Sequence, residues 1–479
     1  MRVLALEAST QAAKAIVYDR EAGVSSLAQL PYPEGTCDIV TQDAEAMAAS
    51  VFAAGRQALK ASPGPIDGVA ISSIWHSLLP LDRDRRPLGP IRTWANTQAA
   101  PTVAHFRRDG ALTAEFYQRT GCMVHSMYPL WQYMHLKRCQ PEALSGMASL
   151  SSQSAYLFER LTGREGVSTC TASGSGFYNI HTGAWDERAL AFCGLEPEQI
   201  GRLMDPEDTQ PLCRAAAEAL GLPAGTPVCP GGGDGALNQI GSGATAPGIM
   251  TFSVGTSGAI RMAVDQPVLP ERPSTWCYAL AEGKRIAGAA TSGAGNCVDW
   301  LRKTVLGGRY DFAQLEALAA EVDRGAAPVF LPFLYGERCP GWQDARRGGY
   351  VGLSGQMGVG ELYYALLEGV LMNIYHCYQI LTEAAGQPRQ IRITGGIERS
   401  PLWLQMAADL FGAPMTTATI EHASILGAAA LALKACGGID RLADFDAPTG
   451  RAIAPQIGKR ALYDARFQQY LAAYQAQVI

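Results

Sequence analysis

The sequence predicts a mixed α/β chain made of two related halves. The first observation is that two stretches share one pattern, VLALEASTQAAKAIVYD at 3–19 and IMTFSVGTSGAIRMAV at 249–264. Each has a β-type apolar run, a turn of small hydroxyl residues, and a second apolar run with one cation, Lys14 or Arg261. The second observation is that short β-like runs alternate with helical patterns in both halves. Such alternation is typical of α/β domains.

Several elements can be placed along each half. In the first half, a helix is predicted over 43–60 and a strand over GVAISSI at 68–74. In the second half, a long helix is predicted after Gly360 by apolar residues four positions apart, and Gly386 can supply a left-handed stop. The residues of that stripe are Leu362, Leu366, Val370, Ile374 and Tyr378.

A strand, two glycines and another helix follow. The strand lies in QIRITGG at 390–396. The next helix is expected to have Ser400 as its cap, Pro401 in its first turn and Gly412 at its end. Together these elements form a surface on which a nucleotide could lie flat against the backbone.

Length and composition agree with two full domains. The 479 residues are enough for two or three domains, and a hydrophobic content of 48% suffices for their cores. Small residues and a proline in SGATAPG at 242–248 mark the most suitable boundary. We therefore expect an N-terminal domain of residues 1–244 and a C-terminal domain of residues 245–479.

Charge and motif content restrict the partners. A net charge near −5 gives no broad basic field of the kind that nucleic acids or anionic membranes attract. The N-terminal MRVLALEAST lacks the pattern of a signal peptide, and no run is long and apolar enough for a membrane span. No C-x-x-C pair or paired histidine spacing indicates a transition metal. We expect a cytoplasmic protein that binds small molecules, and neither nucleic acid nor membrane.

The two hydroxyl-rich turns are candidate phosphate sites. Exposed backbone N–H groups in tight turns bind anions, so two turns that close from opposite sides suit the polyphosphate of ATP in a cleft. A single hairpin with Ser, Thr and Gly is more often only a hairpin. Because the two turns match, both interpretations stay open at this point.

The segment PGGGDGALNQIGSG at 230–243 places one carboxylate, Asp234, among six glycines. The flanking glycines would let the main chain approach a ligand closely and adopt positive φ. They are Gly231, Gly232, Gly233 and Gly235. A carboxylate beside a transferable γ-phosphoryl group can accept the proton of an attacking hydroxyl, which makes Asp234 a candidate general base. The alternative is a glycine-rich turn in which Asp234 only favours the turn.

Other polar side chains suit the same cleft. Glu7 at the first hairpin could hold Mg²⁺ through its waters, since this ion binds one or two carboxylates plus phosphate oxygens; otherwise Glu7 is a strand-end acid facing solvent. His76 follows a strand in ISSIWHSLLPLD at 71–82, and TWANTQ at 93–98 offers aromatic and amide groups for a polyol. A single histidine is more often structural, so both roles of His76 stay open.

Together these motifs resemble the FGGY carbohydrate kinases, which have two ribonuclease-H-like (actin/hexokinase/Hsp70-like) domains with an interdomain cleft. The resemblance covers nearly the whole chain. The segments that carry it are ALEASTQAAKAIVYD, TQDAEAM, GGGDGALNQIGSG, SVGTSGAIR, GAATSGAGNCVDWLR, LPFLYGERCPGWQDARRGGYVGLS, TGGIERSPLWLQMAADLFGAPM and EHASILGAAALA. It implies an α/β fold of this kind and phosphorylation of a sugar-type hydroxyl by ATP with Mg²⁺.

The resemblance also implies roles for individual residues. Asp234 would be the catalytic base and, with Glu7, would lie at the metal. The residues implied to bind nucleotide are Thr10, Gln11, Lys14, Gly255, Thr256, Gly295, Gly395 and Gly396, the last two against the adenosine. The residues implied to line the sugar site, besides Asp234, are Trp75, His76, Trp94, Asn96 and His125.

The substrate is the least determined part of the resemblance. WHSLLPLD, TWANTQ and TGCMVHSMYPL look most like gluconokinases, and xylulokinases or other ketose and polyol kinases are next. Three charged residues of the gluconokinase pattern are neutral amides here, Asn96, Gln98 and Gln132. An amide cannot pair with a carboxylate as Arg or Lys does. Of the sugar, polyol or sugar-acid substrates, we expect an uncharged one, or a sugar acid held in another way.

Two further departures suggest a different class of protein. Glu7 stands where the family usually has Asp, and Ser9 where it has Gly. Together they leave open a catalytically weakened member that binds nucleotide or sugar as a sensor. Asp234, Thr10 and the second hairpin match the family, which favours an active kinase. The sequence leaves a homodimer open.

Overall fold

The computed structural model describes residues 1–418, 422–445, 447 and 449–476. The strands of the first half are β1 (Arg2–Ala8), β2 (Ala12–Asp19), β3 (Gly23–Pro31), β4 (Thr41–Gln42), β5 (Gly68–Ser73), β6 (Leu79–Leu81), β7 (Ile91–Arg92), β8 (Ser149–Ser151), β9 (Val167–Ser168), β10 (Tyr178–Asn179), β11 (Ala184–Trp185), β12 (Leu203–Met204), β13 (Gln210–Pro211) and β14 (Pro227–Gly233). Its α-helices are α1 (Ala44–Ala61), α2 (Ala100–Phe106), α3 (Gly110–Thr120), α4 (Pro129–Cys139), α5 (Gln153–Thr162), α6 (Thr169–Ser173), α7 (Glu187–Cys193), α8 (Arg214–Leu220) and α9 (Asp234–Gly241).

The second half follows the same α/β pattern. Its strands are β15 (Ile249–Val254), β16 (Gly258–Val264), β17 (Trp276–Ala279), β18 (Arg285–Thr291), β19 (Val329–Leu331), β20 (Gly349–Val351), β21 (Gln390–Gly395), β22 (Met415–Ala418) and β23 (Thr449–Ile453). Its α-helices are α10 (Gly295–Asp299), α11 (Phe312–Ala320), α12 (Val359–Ala385), α13 (Pro401–Phe411), α14 (Ala423–Ala435) and α15 (Arg460–Ala476). A π-helical turn spans Trp300–Val305, and 3₁₀ turns span Pro141–Leu144, Pro197–Gln199, Gly396–Arg399 and Leu442–Asp444.

Each half has one main sheet. The two sheets share a strand order when the second is read in reverse, and the second has β17 as an extra edge strand. In the first, the order is β13-β14-β5-β1-β2-β3, and in the second it is β17-β18-β16-β15-β21-β22-β23. The antiparallel hairpin β1–β2 corresponds to β15–β16, and the parallel neighbours β5 and β14 correspond to β21 and β22. The prediction of two related α/β halves is confirmed.

The predicted helices are present with small differences. Helix α1 begins after Asp43, whose carboxylate accepts a hydrogen bond from the N–H of Ala46 at 2.8 Å. Helix α13 has Ser400 as its cap, Pro401 in its first turn and a left-handed Gly412 at its end, as predicted. Helix α12 begins one residue before Gly360 and ends before Gly386. Gly386 has φ +84° and ψ 163°, so it has the positive φ of a glycine stop without the left-handed helical conformation.

Helix α14 of the second half packs against the sheet of the first half. It contacts β1, β5 and α9. Glycines allow the two helix backbones to touch: a Cβ on Gly241 would lie 1.9 Å from the carbonyl oxygen of Ala423, and one on Gly427 would lie 2.0 Å from that of Leu237. Residue 421, which opens the EHASILGAAALA motif, lies outside the described residues. The two halves are therefore joined by helix packing as well as by residues 242–248.

Two layers of side chains form the core around the first sheet. One face packs against α1 through residues such as Leu4, Leu6 and Met47. The opposite face, with Val3 and Ala5, belongs to a second cluster that continues into the other half. Because both faces are covered, β1 and β5 are buried nearly throughout, which is typical of parallel strands in α/β proteins.

Candidate active site

Asp234 lies where three neighbouring strands of the first sheet end. The strands β1, β5 and β14 run parallel, with Glu7 opposite Ser72 and Ser72 opposite Gly232. Asp234 follows β14 directly and is the first residue of α9. The carboxyl ends of parallel strands are the edge at which α/β proteins bind ligands. The fold therefore puts two carboxylates, Glu7 and Asp234, at a ligand-binding edge.

The glycines around the candidate base make room for protein atoms. A Cβ on Gly231, which has φ +65°, would lie 1.8 Å from the carbonyl oxygen of Ile71. A Cβ on Gly233 would lie 2.5 Å from the indole of Trp75, and one on Gly235 would lie 2.7 Å from the same ring. The expectation of positive φ is confirmed at Gly231 and is wrong at Gly232, Gly233 and Gly235. Gly235 lines the same cavity as Asp234, so close approach of a ligand stays a prediction. The glycines also let the indole pack directly against this segment.

The environment of Asp234 suits proton transfer near neutral pH. Its carboxylate is exposed to the water of the cleft, and its Oδ1 accepts a hydrogen bond from the N–H of Gly235 at 2.7 Å. Protein nevertheless surrounds the cleft, and this burial, with the charge of Glu7, raises the pKa of Asp234 to about 6. Arg261 and Lys14 oppose that rise. A carboxylate with this pKa is ionised at pH 7 and is a stronger base than an ordinary aspartate.

Glu7 is held in one orientation at the end of β1. Its side chain is buried, and its Oε2 accepts a hydrogen bond from Nζ of Lys14 at 2.8 Å. Its Oε1 accepts hydrogen bonds from the hydroxyl of Ser72 at 3.1 Å and from that of Ser424 at 2.5 Å. Lys14, a predicted nucleotide residue, is therefore engaged with Glu7 and does not line the cavities described next.

Three connected cavities form the candidate site; residues of the second half alone line the first, and residues of both halves line the other two. The first, which we call the nucleotide cavity, has a volume of about 750 Å³ and is lined by Gly255, Thr256, Gly295 and Gly396. Aromatic side chains complete its wall, namely Trp300, Phe312, Tyr363 and Trp403. Four predicted nucleotide residues thus meet in a space large enough for a mononucleotide.

The second cavity, which we call the central cleft, separates the two hairpin turns. Its volume is about 720 Å³, and Thr10 and Gln11 of the first hairpin and Thr256 of the second line it. Thr256 borders the nucleotide cavity as well. The expected arrangement, with the two turns on opposite sides of one space, is present in the structure.

The third cavity, which we call the inner cavity, contains Asp234. It is smaller, about 170 Å³, and Trp75, His76 and Trp94 line it. Thr10 and Trp94 border both the inner cavity and the central cleft. The candidate base, three of the predicted sugar residues and the first hairpin therefore meet at one point.

The departure at Ser9 does not obstruct the first turn. The backbone of Ser9 has no positive φ. Its hydroxyl donates a hydrogen bond to the carbonyl of Ala12 at 2.7 Å, inside the hairpin. Serine at this position is therefore compatible with the turn and stabilises it.

Two predicted nucleotide glycines have structural contacts. A Cβ on Gly395, which has φ +100°, would lie 2.4 Å from the carbonyl oxygen of Val254, and Gly395 itself does not line the nucleotide cavity. The N–H of Gly295 donates to the carbonyl of Gly255 at 2.9 Å, and that of Asn296 donates to the carbonyl of Thr256 at 3.1 Å. The first turn of α10 thus holds the second hairpin in place.

His76 is buried and neutral in the wall of the inner cavity. Its ring Nδ1 lies 2.6 Å from the carbonyl oxygen of Gly174, so Nδ1 carries the proton and Nε2 is an acceptor. Burial lowers the pKa of His76 to about 3. The residue has φ +56°, a backbone conformation that few residues other than glycine adopt.

The remaining predicted sugar residues differ in position. His125 lines the central cleft, where its Nε2 lies 2.8 Å from Oδ1 of Asp344 in the other half. Asn96 lines none of the three cavities. Its Oδ1 accepts a hydrogen bond from the N–H of Gln98 at 3.1 Å, and its side chain is buried in the turn. The structure thus brings His125 to the cleft and leaves Asn96 outside it.

Sequence reasoning missed several residues of the inner cavity. Arg261, Trp276, Tyr278 and Arg338 line it, all from the second half. Arg261 is the one cation in an otherwise apolar strand, and that pattern is a signal that could have identified it. No local pattern distinguishes Arg338 from the nearby arginines of its segment.

The comparisons with known proteins agree with this site. Residues 2–241 match the N-terminal domain model of the FGGY family of carbohydrate kinases, and residues 250–436 match its C-terminal domain model. The chain is 30% identical over 460 residues to a gluconokinase of Bacillus subtilis, covering 93% of this chain and 89% of that protein. It is 28% identical to the xylulose kinase of Escherichia coli, covering 86% and 85%. The chain belongs to the FGGY family of carbohydrate kinases.

Solved structures give the same result. The gluconate kinase of Lactobacillus acidophilus superposes with a TM-score of 0.93 at 27% identity, over 99% of this chain and 98% of that one. A ligand-bound xylulose kinase of the same organism superposes with a TM-score of 0.94 at 27% identity, with the same coverage. The expected fold class and the expected enzyme class, a sugar kinase that uses ATP, are confirmed. In the described part of the chain, no helix combines the length and apolarity needed to cross a membrane.

Proposed function

We propose that this chain transfers the γ-phosphoryl group of ATP to a hydroxyl of a sugar, polyol or sugar acid, with Asp234 as the general base. The observation that carries the proposal is the inner cavity. Among the described residues that line it, Asp234 is the one carboxylate, and its pKa is raised to about 6. An acceptor hydroxyl bound there would give its proton to Asp234 while its oxygen bonds to the γ-phosphorus, and ADP would leave with the bridging oxygen.

We assign the nucleotide to the nucleotide cavity and the central cleft. The aromatic wall of the nucleotide cavity suits a base, and Gly396 beside it leaves the backbone accessible. The triphosphate would then lie between the two hairpin turns, at Thr10, Gln11 and Thr256, because these residues face one another across the central cleft. A γ-phosphoryl group at that point would be next to the inner cavity.

We assign Mg²⁺ to the carboxylates of Glu7 and Asp234. Their oxygen donors fit the ion, which commonly takes one or two carboxylates and completes its shell with phosphate oxygens and water. Glu7 raises the pKa of Asp234, so the two carboxylates are close enough for their charges to interact. When bound, the ion would neutralise charge on the phosphates. Lys14, Ser72 and Ser424 would keep the Glu7 carboxylate oriented.

The test of this proposal is Asp234→Asn. Its kcat should fall by about 10²- to 10⁴-fold, since that is the usual contribution of a general base. Nucleotide affinity, measured by calorimetry, should change little because Asp234 lines neither the nucleotide cavity nor the central cleft. Asp84→Asn, which alters a carboxylate on the surface, is the matched control. Normal turnover in Asp234→Asn would contradict the role of base.

Relatives named gluconokinase and xylulose kinase make sugar acids and ketoses the first acceptors to test.

The sensor alternative is less favoured, because Ser9 fits the first turn and Glu7 keeps its carboxylate in place. A cytoplasmic location and a homodimer stay predictions.

A further inference from the structure

The charges that line the inner cavity do not balance among the described residues. Its wall has one carboxylate, Asp234, and two guanidinium groups, those of Arg261 and Arg338. His76 is also in the wall, but it is neutral at pH 7 because burial lowers its pKa to about 3. The wall therefore has one positive charge in excess, at the place where an acceptor would bind.

Arg261 of the second hairpin and Lys14 of the first hairpin have different cross-strand partners. Lys14 lies opposite Glu7 in the strand register, and their charged groups are 2.8 Å apart. Arg261 lies opposite Thr251, and its Nη1 donates a hydrogen bond to the neutral hydroxyl of Ser253 at 3.2 Å. Its Nε is buried and has no hydrogen-bond partner within the described chain. Arg261 therefore retains N–H donors, but its charge already interacts with that of Asp234.

Arg338 forms no ion pair within the described part of the chain. Its Nη2 contacts the sulfur of Met127 at 3.7 Å, which is a weak acceptor, and its Nε is buried without a hydrogen-bond partner. Arg346 of the same segment, in contrast, lies 3.0 Å from the carboxylate of Glu337. Arg338 borders both the inner cavity and the central cleft, so its free donors face the space of the acceptor.

The neutral amides that suggested an uncharged substrate do not line the inner cavity. The Nε2 of Gln132 donates a hydrogen bond to the carbonyl of Thr93 at 2.9 Å. The Oε1 of Gln98 accepts one from Nη1 of Arg92 at 2.5 Å, and Asn96 is buried in its turn. These amides therefore do not determine the charge that the acceptor meets.

We propose that Arg338 binds the carboxylate of a sugar acid, so that the preferred acceptor is an open-chain polyhydroxylated carboxylate. The inference rests on the proposed kinase function. A guanidinium group matches a carboxylate through paired N–H donors, whereas a neutral polyol would leave the excess charge without a partner. The carboxylate and the reacting hydroxyl would lie at different positions of the substrate, because a carboxylate beside Asp234 would be repelled.

The experiment compares each acid with its neutral counterpart on the purified full-length chain with ATP and Mg²⁺. A coupled assay of ADP release gives kcat/KM for D-gluconate against D-glucitol and for D-xylonate against xylitol, with D-xylulose as a neutral ketose. The wild type should prefer each acid by about tenfold or more, the usual effect of a hydrogen bond to a charged group. Calorimetric binding of the same acceptors provides a second readout for variants with low turnover.

Variants then test the residue responsible. Arg338→Gln should lower kcat/KM for the acids by about 10- to 100-fold, mainly through KM, and should lower kcat/KM for the neutral acceptors by a much smaller factor. Arg338→Lys should retain part of the preference, because it keeps the charge without the paired donors. Arg347→Gln is the matched control, since Arg347 is an exposed arginine of the same segment.

The outcomes separate this inference from the proposed function. Equal or faster turnover of the neutral acceptors by the wild type would overturn the inference and leave a sugar kinase. Equal losses on acid and neutral acceptors in Arg338→Gln would also overturn it, because Arg338 would then act on the transferred phosphoryl group. If no acceptor stimulates ADP release, the proposed function fails, and the inference fails with it.

Discussion

The hydroxyl of Ser424 lies 2.5 Å from Oε1 of Glu7, so a helix of the second half binds the strand-end carboxylate of the first half. Ser424 is in the first turn of α14, the helix that packs on β1 and β5. This contact orients Glu7 from outside its own domain. It connects the packing of the two halves with the geometry of the site.

Ser424→Ala tests that contact. Removing the hydroxyl should lower the free energy of unfolding by about 1–3 kcal/mol, because a buried carboxylate oxygen loses a donor. The measurement is the shift of the urea unfolding midpoint. Ser25→Ala, on an exposed position of β3, is the control and should have no measurable effect. A variant of Ser424 as stable as the control would mean that the hydrogen bond contributes nothing.

Glu7→Gln and Glu7→Asp test the metal assignment. Glutamine keeps the size of the side chain but removes its charge and leaves Lys14 unpaired. The Mg²⁺ concentration for half-maximal rate should therefore rise about 10- to 100-fold, which is the usual cost of losing a group that holds a metal through water. Aspartate keeps the charge and should stay within about tenfold of the wild type. The measurement is the initial rate as a function of Mg²⁺ concentration. Equal Mg²⁺ dependence in wild type and Glu7→Gln would contradict a role for Glu7 at the metal.

Much of the fold could be predicted because its signals are local. Caps such as Asp43 and Ser400 lie beside the helices that they begin, and the two hairpins show their alternation within a few residues. The packing of α14 on the first sheet could not be predicted in this way. It depends on Gly241 and Gly427, which lie far apart in the chain and meet only in the folded structure.

In the candidate site, too, local sequence signals could be predicted and tertiary contacts could not. Asp234 could be identified because its glycine neighbours are adjacent in sequence. That these glycines make room for the indole of Trp75 could not be predicted, since the indole reaches them only in the folded chain. Asn96 has a suitable side chain for a sugar, but a loop pattern does not indicate which side chains turn inward. Arg338 enters the inner cavity from the opposite half, so tertiary structure alone reveals it.

Gly233→Ala tests the packing of the glycine segment. The added Cβ would lie 2.5 Å from the indole of Trp75, so the ring must move, and overpacking of this kind should cost about 1–3 kcal/mol of folding free energy. Activity should fall as well, because Asp234 follows directly. Unfolding midpoints and kcat are measured together.

Gly349→Ala is the control for that substitution. A Cβ there has no atom within 4 Å, and Gly349 has no positive φ. The control should be as stable as the wild type. If Gly233→Ala were equally stable and fully active, the indole would not be what requires glycine at this position.

His76→Asn tests the effect of pH on stability. In the folded chain the pKa of His76 is about 3, whereas in the unfolded chain it is near its ordinary value of 6.5, so the unfolded state binds a proton first as the pH falls. His76 therefore makes the folded state progressively less stable between pH 6.5 and pH 3. At pH 5 its contribution is about 2 kcal/mol relative to pH 7. Asparagine tolerates the positive φ of this position and does not titrate.

The measurement is the free energy of unfolding of wild type and His76→Asn at pH 7 and pH 5. The loss on acidification should be smaller in the variant by about 2 kcal/mol. The variant should keep part of the acid sensitivity of the wild type, because burial also lowers the pKa of His376 to about 4. Ser25→Ala, which changes no titratable group, is the comparison and should leave the loss unchanged. An equal loss in wild type and His76→Asn would show that His76 is already charged, or free to become charged, in the folded state.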